Sequence, residues 1–188
     1  KGGLYLGGAA TLTNCNVTIE EGSLSSELGE LTIDGGTFNI NQDPNNKTTP
    51  AILVEIKAII KNAAIKTDSF CYIPDMEMTD SNLDITVTDE VGPQDYIEAG
   101  LDGHNFAFSG SKVNVDGGVG YAGIYAYHKV TITNNTEMDV KGRSFGLFGQ
   151  DVAITHSSGK FQATDPSQAI AAVAGIDGDG TGRPNDYA

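Results

Sequence analysis

The segment "GIDGDGTGRPND" places oxygen-bearing side chains at alternate positions, with Asp177, Asp179 and Thr181 followed by Gly182. Closely spaced oxygens on a glycine-rich loop suit Ca²⁺, which takes about 6–8 hard oxygen ligands. The match to the helix–loop–helix calcium motif fails at its twelfth position, where Ala188 stands instead of a bidentate glutamate. Two interpretations therefore stay open for this segment, a calcium site and a flexible polar tail.

Three tyrosines, Tyr121, Tyr125 and Tyr127, lie close together in "GYAGIYAYH". If Ile124 and Ala126 face a core, Tyr125 and Tyr127 share the outer face of one strand. A flat pair of rings about 7 Å apart along a strand can stack on successive sugar faces. The alternative is that the tyrosines pack beneath neighbouring loops with only their hydroxyls in water.

The composition narrows the classes of partner. Asp and Glu outnumber Lys and Arg by 25 to 11 in 188 residues, and the formal net charge is −14. Nucleic acids and anionic membranes require a basic surface, so neither is expected as a partner. No apolar run approaches the length of a membrane helix, about 18 residues, so membrane insertion is not expected either. Cys15 and Cys71 have no metal-site spacing, and no disulfide between them is expected.

A sequence repeat predicts where the candidate site residues lie in the fold. Segments such as "ATLTNCNVTI", "LTIDGGTFNI" and "VTITNNTEMDV" share an alternation of apolar and polar residues, which is typical of half-buried strands. The second apolar residue of each copy defines an aligned column with a mean step of about 24 residues. The aligned column consists of Leu12, Ile33, Ile60, Met78, Phe108, Ile132 and Ile154.

Two residues after the aligned column, every copy has a residue that tolerates the left-handed backbone region. This corner column consists of Asn14, Gly35, Asn62, Asp80, Gly110, Asn134 and His156. It predicts an abrupt bend between two strands in each copy. The next apolar column is expected to hold Val17, Phe38, Ile65, Leu83, Val113, Met138 and Phe161.

A third short strand precedes each copy, in segments such as "AILVE" and "AGIYAY", and "AIAAVAG" would begin an eighth turn. Such units bury their apolar sides by stacking, with equivalent strands paired in parallel. Parallel crossovers are almost always right-handed. The sequence therefore predicts an all-β protein, a right-handed parallel β-helix of about seven three-strand turns over residues 1–176, followed by a tail at 177–188. A β-sandwich is the alternative.

This pattern resembles the pectate-lyase-like β-helix superfamily, and especially the Gly/Asn/Thr-rich β-helix proteins exported by anaerobic Firmicutes, some of which are labelled carbohydrate-binding. Lyases of the superfamily bind Ca²⁺ through acidic residues and use a basic residue, often arginine, to abstract a proton beside a sugar carboxylate. The arrangement most similar to that requirement is Arg143 with Asp139 upstream and Asp116 one turn earlier. No motif fixes this assignment, and the resemblance is specific for the fold rather than for a function.

Two further columns precede the aligned one. Lys57, Asp75, Lys129 and Asp151 recur three residues before it, which predicts a surface charge ladder that separates like charges. His104 and His128 occur one position earlier still, at equivalent places in adjacent turns. They are interpreted as surface residues, because a zinc site requires more ligands.

The function expected from these observations is a non-catalytic, secreted or cell-surface bacterial β-helix that presents a glycan-binding or adhesive surface. The alternatives are a calcium-dependent polysaccharide lyase and a structural spacer in a larger surface protein. No cofactor is required, and calcium is the one candidate. Bare terminal edges invite pairing, so further domains of the same chain or a homo-oligomer are expected to cover them.

Overall fold

The computed structural model describes residues 2–42, 49–88, 99–167 and 171–175. Within these residues all regular structure is β-strand, in sixteen strands, and every strand pairing is parallel. The strands form three ladders, and the chain visits the ladders in turn. This arrangement is consistent with a solenoid.

The first ladder contains the short strands that precede each repeated phrase. They are β1 (Leu4–Leu6), β3 (Leu24–Ser26), β5 (Ile52–Val54), β7 (Cys71–Tyr72), the first halves of β10 (Ala99–Ser109), β12 (Ala122–Thr133) and β14 (Phe145–Ile154), and β16 (Ala171–Gly175). The last strand, β16, lies in the "AIAAVAG" segment, as the repeat predicts.

The other two ladders flank the corner. The second contains the first halves of β2 (Ala10–Glu20), β4 (Leu31–Asn41) and β6 (Lys57–Thr67), then β8 (Asp75–Thr79) and the second halves of β10, β12 and β14. The third contains the second halves of β2, β4 and β6, then β9 (Asn82–Thr86), β11 (Lys112–Asp116), β13 (Glu137–Gly142) and β15 (Ser158–Ala163). Several strands therefore continue through a corner, where three separate strands were expected.

The aligned column is confirmed as a stack. Each of its seven residues pairs directly with the next on a neighbouring strand, including Phe108 with Ile132. Phe108 and Ile132 are 1% and 0% exposed, as expected for the centre of a continuous apolar core. Ile154 is 41% exposed, because no described strand covers the far side of the second half of β14.

The corner column is also confirmed. All seven of its residues have positive φ, from 47° at Asp80 to 79° at Gly35. Asn134 has a φ of 55°, and Asn135 beside it has a φ of 59°. The sixth corner holds one residue more than the fifth, because Phe108 pairs with Ile132 before the corner and Lys112 pairs with Glu137 after it.

One assignment of the repeat is wrong at the seventh copy. Gly159 pairs with Met138, whereas Phe161 pairs with Val140, so Gly159 occupies the column position expected for Phe161. The Phe161 ring lies in the space that a side chain on Gly159 would need. The phenylalanine therefore covers the core from two residues further along the strand.

A column of buried hydroxyls lines the corner, which the apolar pattern of the sequence did not predict. The Ser81 N–H donates to Ser111 Oγ at 3.2 Å, and the Ser111 N–H donates to Thr136 Oγ1 at 3.3 Å. The Ser111 hydroxyl donates to the Ser109 carbonyl oxygen at 2.9 Å. Small residues recur at this position, so the signal was present in the sequence.

Candidate functional site

β12 carries Tyr125 and Tyr127 on the side opposite to the core. Ile124 and Ala126 are both 0% exposed and belong to the main apolar core. Tyr125 is half-buried, whereas Tyr127 is 39% exposed. The alternation expected from the sequence is confirmed for this strand.

The two rings do not form the flat pair that the sequence suggested. Their centroids are 5.0 Å apart and their planes make an angle of 76°, so Tyr125 and Tyr127 meet edge to face. The positive ring edge of one tyrosine then faces the negative ring face of the other, which aromatic pairs prefer to a face-to-face sandwich. One ring can therefore present its face to a ligand while the other supports it.

A β-bulge brings two histidines beside Tyr127. Between Ala126 and Lys129 the register shifts by one residue, so that His104 on β10 faces both Tyr127 and His128. The His104 ring centroid lies 5.5 Å from that of Tyr127 and 5.7 Å from that of His128. The bulge exposes Tyr127 and His128 together, although successive residues of a regular strand point to opposite sides.

These contacts continue into one chain of seven aromatic rings, which we name the aromatic strip. Its order is Tyr121, Phe145, Phe148, Tyr125, Tyr127, His104 and His128. The Phe148 and Tyr125 rings are stacked with centroids 4.6 Å apart and planes within 7°. All three predicted tyrosines therefore belong to one surface, although Tyr121 reaches the other two only through Phe145 and Phe148.

Phe145 and Phe148 are the residues of this surface that sequence reasoning missed. They lie on β14, in direct register with Ala122 and Tyr125. Both are buried beneath the tyrosines, and with Ala99 and Ala122 they form a small apolar cluster separate from the main core. The signal was the segment "SFGLFG", which stands at the same place in its repeat as "AGIYAY".

Asp102 and Tyr72 lie in the same column of the first ladder as Tyr125, on the two preceding strands. Tyr72 pairs with Asp102, and Asp102 pairs with Tyr125. Partial burial raises the pKa of the Tyr72 hydroxyl, and the nearby Asp102 and Glu55 raise it further. Burial also raises the pKa of Tyr121. These tyrosines remain neutral hydrogen-bonding groups at physiological pH.

The three residues of the lyase alternative do not form one cluster of ion pairs among the described residues. Asp116 lies opposite Lys141 in the ladder, with Oδ2 3.7 Å from Lys141 Nζ. Asp139 lies opposite Asn114 and Lys160. The backbone N–H of Arg143 donates to the Gly120 carbonyl oxygen at 3.0 Å, which fixes the position of its main chain.

A shallow polar cleft of about 270 Å³ lies next to the aromatic strip, on the outer side of the second ladder. We name it the polar cleft, and it is lined by Lys57, Asp75, Met76, Glu77, Asn105, Phe106, Ala107, Lys129 and Thr131. The Lys57 ammonium donates to Glu77 Oε1 at 2.7 Å, and the Asn105 amide donates to Asp75 Oδ1 at 2.7 Å. The cleft contains part of the predicted charge ladder.

The residues proposed for calcium, Asp177, Asp179 and Thr181, lie outside the described residues. Within the described part of the chain, no group of three or more His, Cys, Asp or Glu side chains is placed to hold a metal ion. Near the histidine pair, His128 Nδ1 lies 3.5 Å from Gln150 Oε1. Cys15 and Cys71 are free thiols.

Among the described residues, no helix long and apolar enough to cross a membrane is found. The chain has no significant match among family models, curated proteins or solved structures.

Proposed function

We propose that the chain is a right-handed parallel β-helix of about seven three-strand turns that binds a glycan through the aromatic strip without cleaving it. Support for the coil comes from the three parallel ladders, because parallel crossovers in one sheet are right-handed in almost all proteins. The resemblance to exported β-helix proteins favours a secreted or cell-surface bacterial protein. The glycan is the partner, and no nucleic acid or membrane insertion is involved.

The aromatic strip, seven rings joined by six contacts, carries this proposal. Sugar rings present apolar faces and polar edges, which match an aromatic surface bordered by hydrogen-bonding groups. Tyr127 supplies an exposed ring, and Tyr125 and Tyr121 supply partly exposed rings supported by Phe148 and Phe145. Rigid parallel ladders hold these rings before the ligand arrives, which lowers the entropic cost of binding.

Glycan-array binding of the parent protein and of a Tyr127→Ala variant tests the proposal. Loss of one stacking ring should weaken binding by about 2- to 10-fold. Tyr5→Ala is the matched control, because Tyr5 is 60% exposed on the same ladder but lies outside the aromatic strip. Equal binding by the parent and by Tyr127→Ala would reject the strip as the binding surface.

Polysaccharide cleavage distinguishes the lyase alternative. On our proposal the protein releases no unsaturated oligosaccharides from polygalacturonate, as followed by ultraviolet absorbance. Release that requires calcium and is lost in Arg143→Ala would establish the lyase, with Asp116 and Asp139 as the accompanying acidic residues. A protein that binds no glycan and cleaves none would fit a structural spacer instead.

A further inference from the structure

We propose that the polar cleft is a second subsite for the same glycan, and that this glycan is a neutral chain of more than one sugar. This inference rests on the proposed function, since it assigns the aromatic strip and the polar cleft to one ligand. It also narrows the substrate class from glycans in general to uncharged ones.

The strip and the cleft are contiguous. His104 and His128 end the aromatic strip, and the residues that follow them, Asn105 and Lys129, line the polar cleft. The bulge in β12 keeps Tyr127, His128 and Lys129 all exposed, so no buried residue interrupts the path. A ligand stacked on Tyr127 can therefore continue across the corner onto the second ladder.

A short side chain makes the floor of the cleft. Ala107 on β10 pairs with Glu77 on one side and with Thr131 on the other. Its methyl group is flanked by two longer side chains, which leaves a depression between them. Three residues along β10 separate Ala107 from His104, or about 10 Å at the rise of an extended strand. That distance requires a ligand longer than a single sugar ring.

The charges of the cleft select against an acidic glycan. Lys57 and Lys129 are balanced there by Asp75 and Glu77, and Lys57 already donates to Glu77 at 2.7 Å. A uronate entering the cleft would meet two carboxylates, within a protein whose formal net charge is −14. Hydroxyl groups can donate to those carboxylates and accept from the lysines and the Asn105 amide. A neutral sugar therefore fits the set of donors and acceptors.

Nuclear magnetic resonance with methyl-labelled alanine and ring-labelled tyrosine tests the inference on the parent protein. The probes are neutral glucan, xylan and mannan oligosaccharides of increasing length, with oligogalacturonates of matched length. We expect neutral oligosaccharides to shift both the Tyr127 ring signals and the Ala107 methyl signal. The Ala153 methyl should stay unchanged, because Ala153 lies in the same column as Ala107 but outside the cleft.

An Ala107→Leu variant fills the cleft without touching the core, and Ala153→Leu is its control. Ala107→Leu should weaken binding of the longer neutral oligosaccharides by tenfold or more and leave binding of the shortest unchanged. Shifts at Tyr127 without any at Ala107 would overturn the second subsite while the proposed function stands. Oligogalacturonate binding as tight as that of neutral chains would overturn the neutral class. Absence of shifts at both residues would overturn both proposals.

Discussion

The side-chain amide of Asn14 lies over Gly35, in the space that a Cβ on Gly35 would need. Asp80 covers Gly110 in the same way, three strand pairs further along the corner column. At both corners, the side chain of the equivalent residue in the preceding repeat therefore covers the glycine that has positive φ. The glycine positions satisfy a steric demand from the neighbouring repeat as well as their own positive φ.

Replacement of Gly35 by alanine should destabilise the protein by about 1 kcal/mol or more, because an L side chain is strained at positive φ and meets Asn14. Urea unfolding measures the loss. Combining Gly35→Ala with Asn14→Gly should recover the steric part, visible as coupling in a double-mutant cycle. Strict additivity of the two changes would contradict the packing described for this corner.

The aligned column offers a matched pair of positions for testing the core. Ile132→Ala should cost about 2–5 kcal/mol, because it opens a cavity at the centre of the stack. Ile154→Ala should cost about 1 kcal/mol or less, since Ile154 is 41% exposed in the same column. Chemical denaturation of both variants compares them. Similar losses at the two positions would argue against a continuous stack.

The hydroxyl column should be intolerant of alanine. Ser111→Ala removes the acceptor of the Ser81 N–H and the donor to the Ser109 carbonyl oxygen, inside a corner where Ser111 is 3% exposed. The expected cost is about 1–3 kcal/mol. Ser111→Thr keeps the hydroxyl and should cost less, because Thr136 already occupies this column. Thermal unfolding of the two variants separates hydrogen bonding from volume.

Burial of Cys71 makes stability depend on pH in the alkaline range. Burial raises the pKa of the Cys71 thiol from its ordinary 9.0 to about 12. Between these values the unfolded chain loses the proton while the folded protein keeps it, so stability falls as pH rises from about 9 towards 12. Cys71→Ala should lower stability at neutral pH, because it leaves a cavity, and should flatten that slope. An unchanged slope in the variant would show that other groups, such as the tyrosines, produce it.

The calcium site stays a prediction of the sequence. If Asp177, Asp179 and Thr181 bind Ca²⁺, millimolar calcium should raise the melting temperature by mass action. Asp179→Ala should abolish that rise, and magnesium at the same concentration serves as the control. A parent protein whose melting temperature ignores calcium would leave the segment as a polar tail.

The sequence by itself determined the columns of the repeat. Apolar alternation with period two and residues tolerant of positive φ are local requirements of backbone geometry, so Ile132 and Asn134 could be placed without a structure. The same alternation allowed Tyr125 and Tyr127 to share the outer face if Ile124 and Ala126 faced the core, and both of these residues are buried. Where a side chain's environment depends on its own strand alone, the pattern is sufficient.

The tertiary structure decided which side chains on different strands contact each other. The one-residue bulge beside Tyr127 sets which rings meet, and Phe148 stacks on Tyr125 from a different strand. Lys57 pairs with Glu77 at 2.7 Å, although Asp75 is its direct neighbour in the ladder. Gly159 took the place expected for Phe161, because the phenylalanine ring reaches over it. Each of these contacts depends on the volume of a side chain in a neighbouring repeat and on the register between the two strands. The spacing of residues in the sequence specifies neither the volume nor the register.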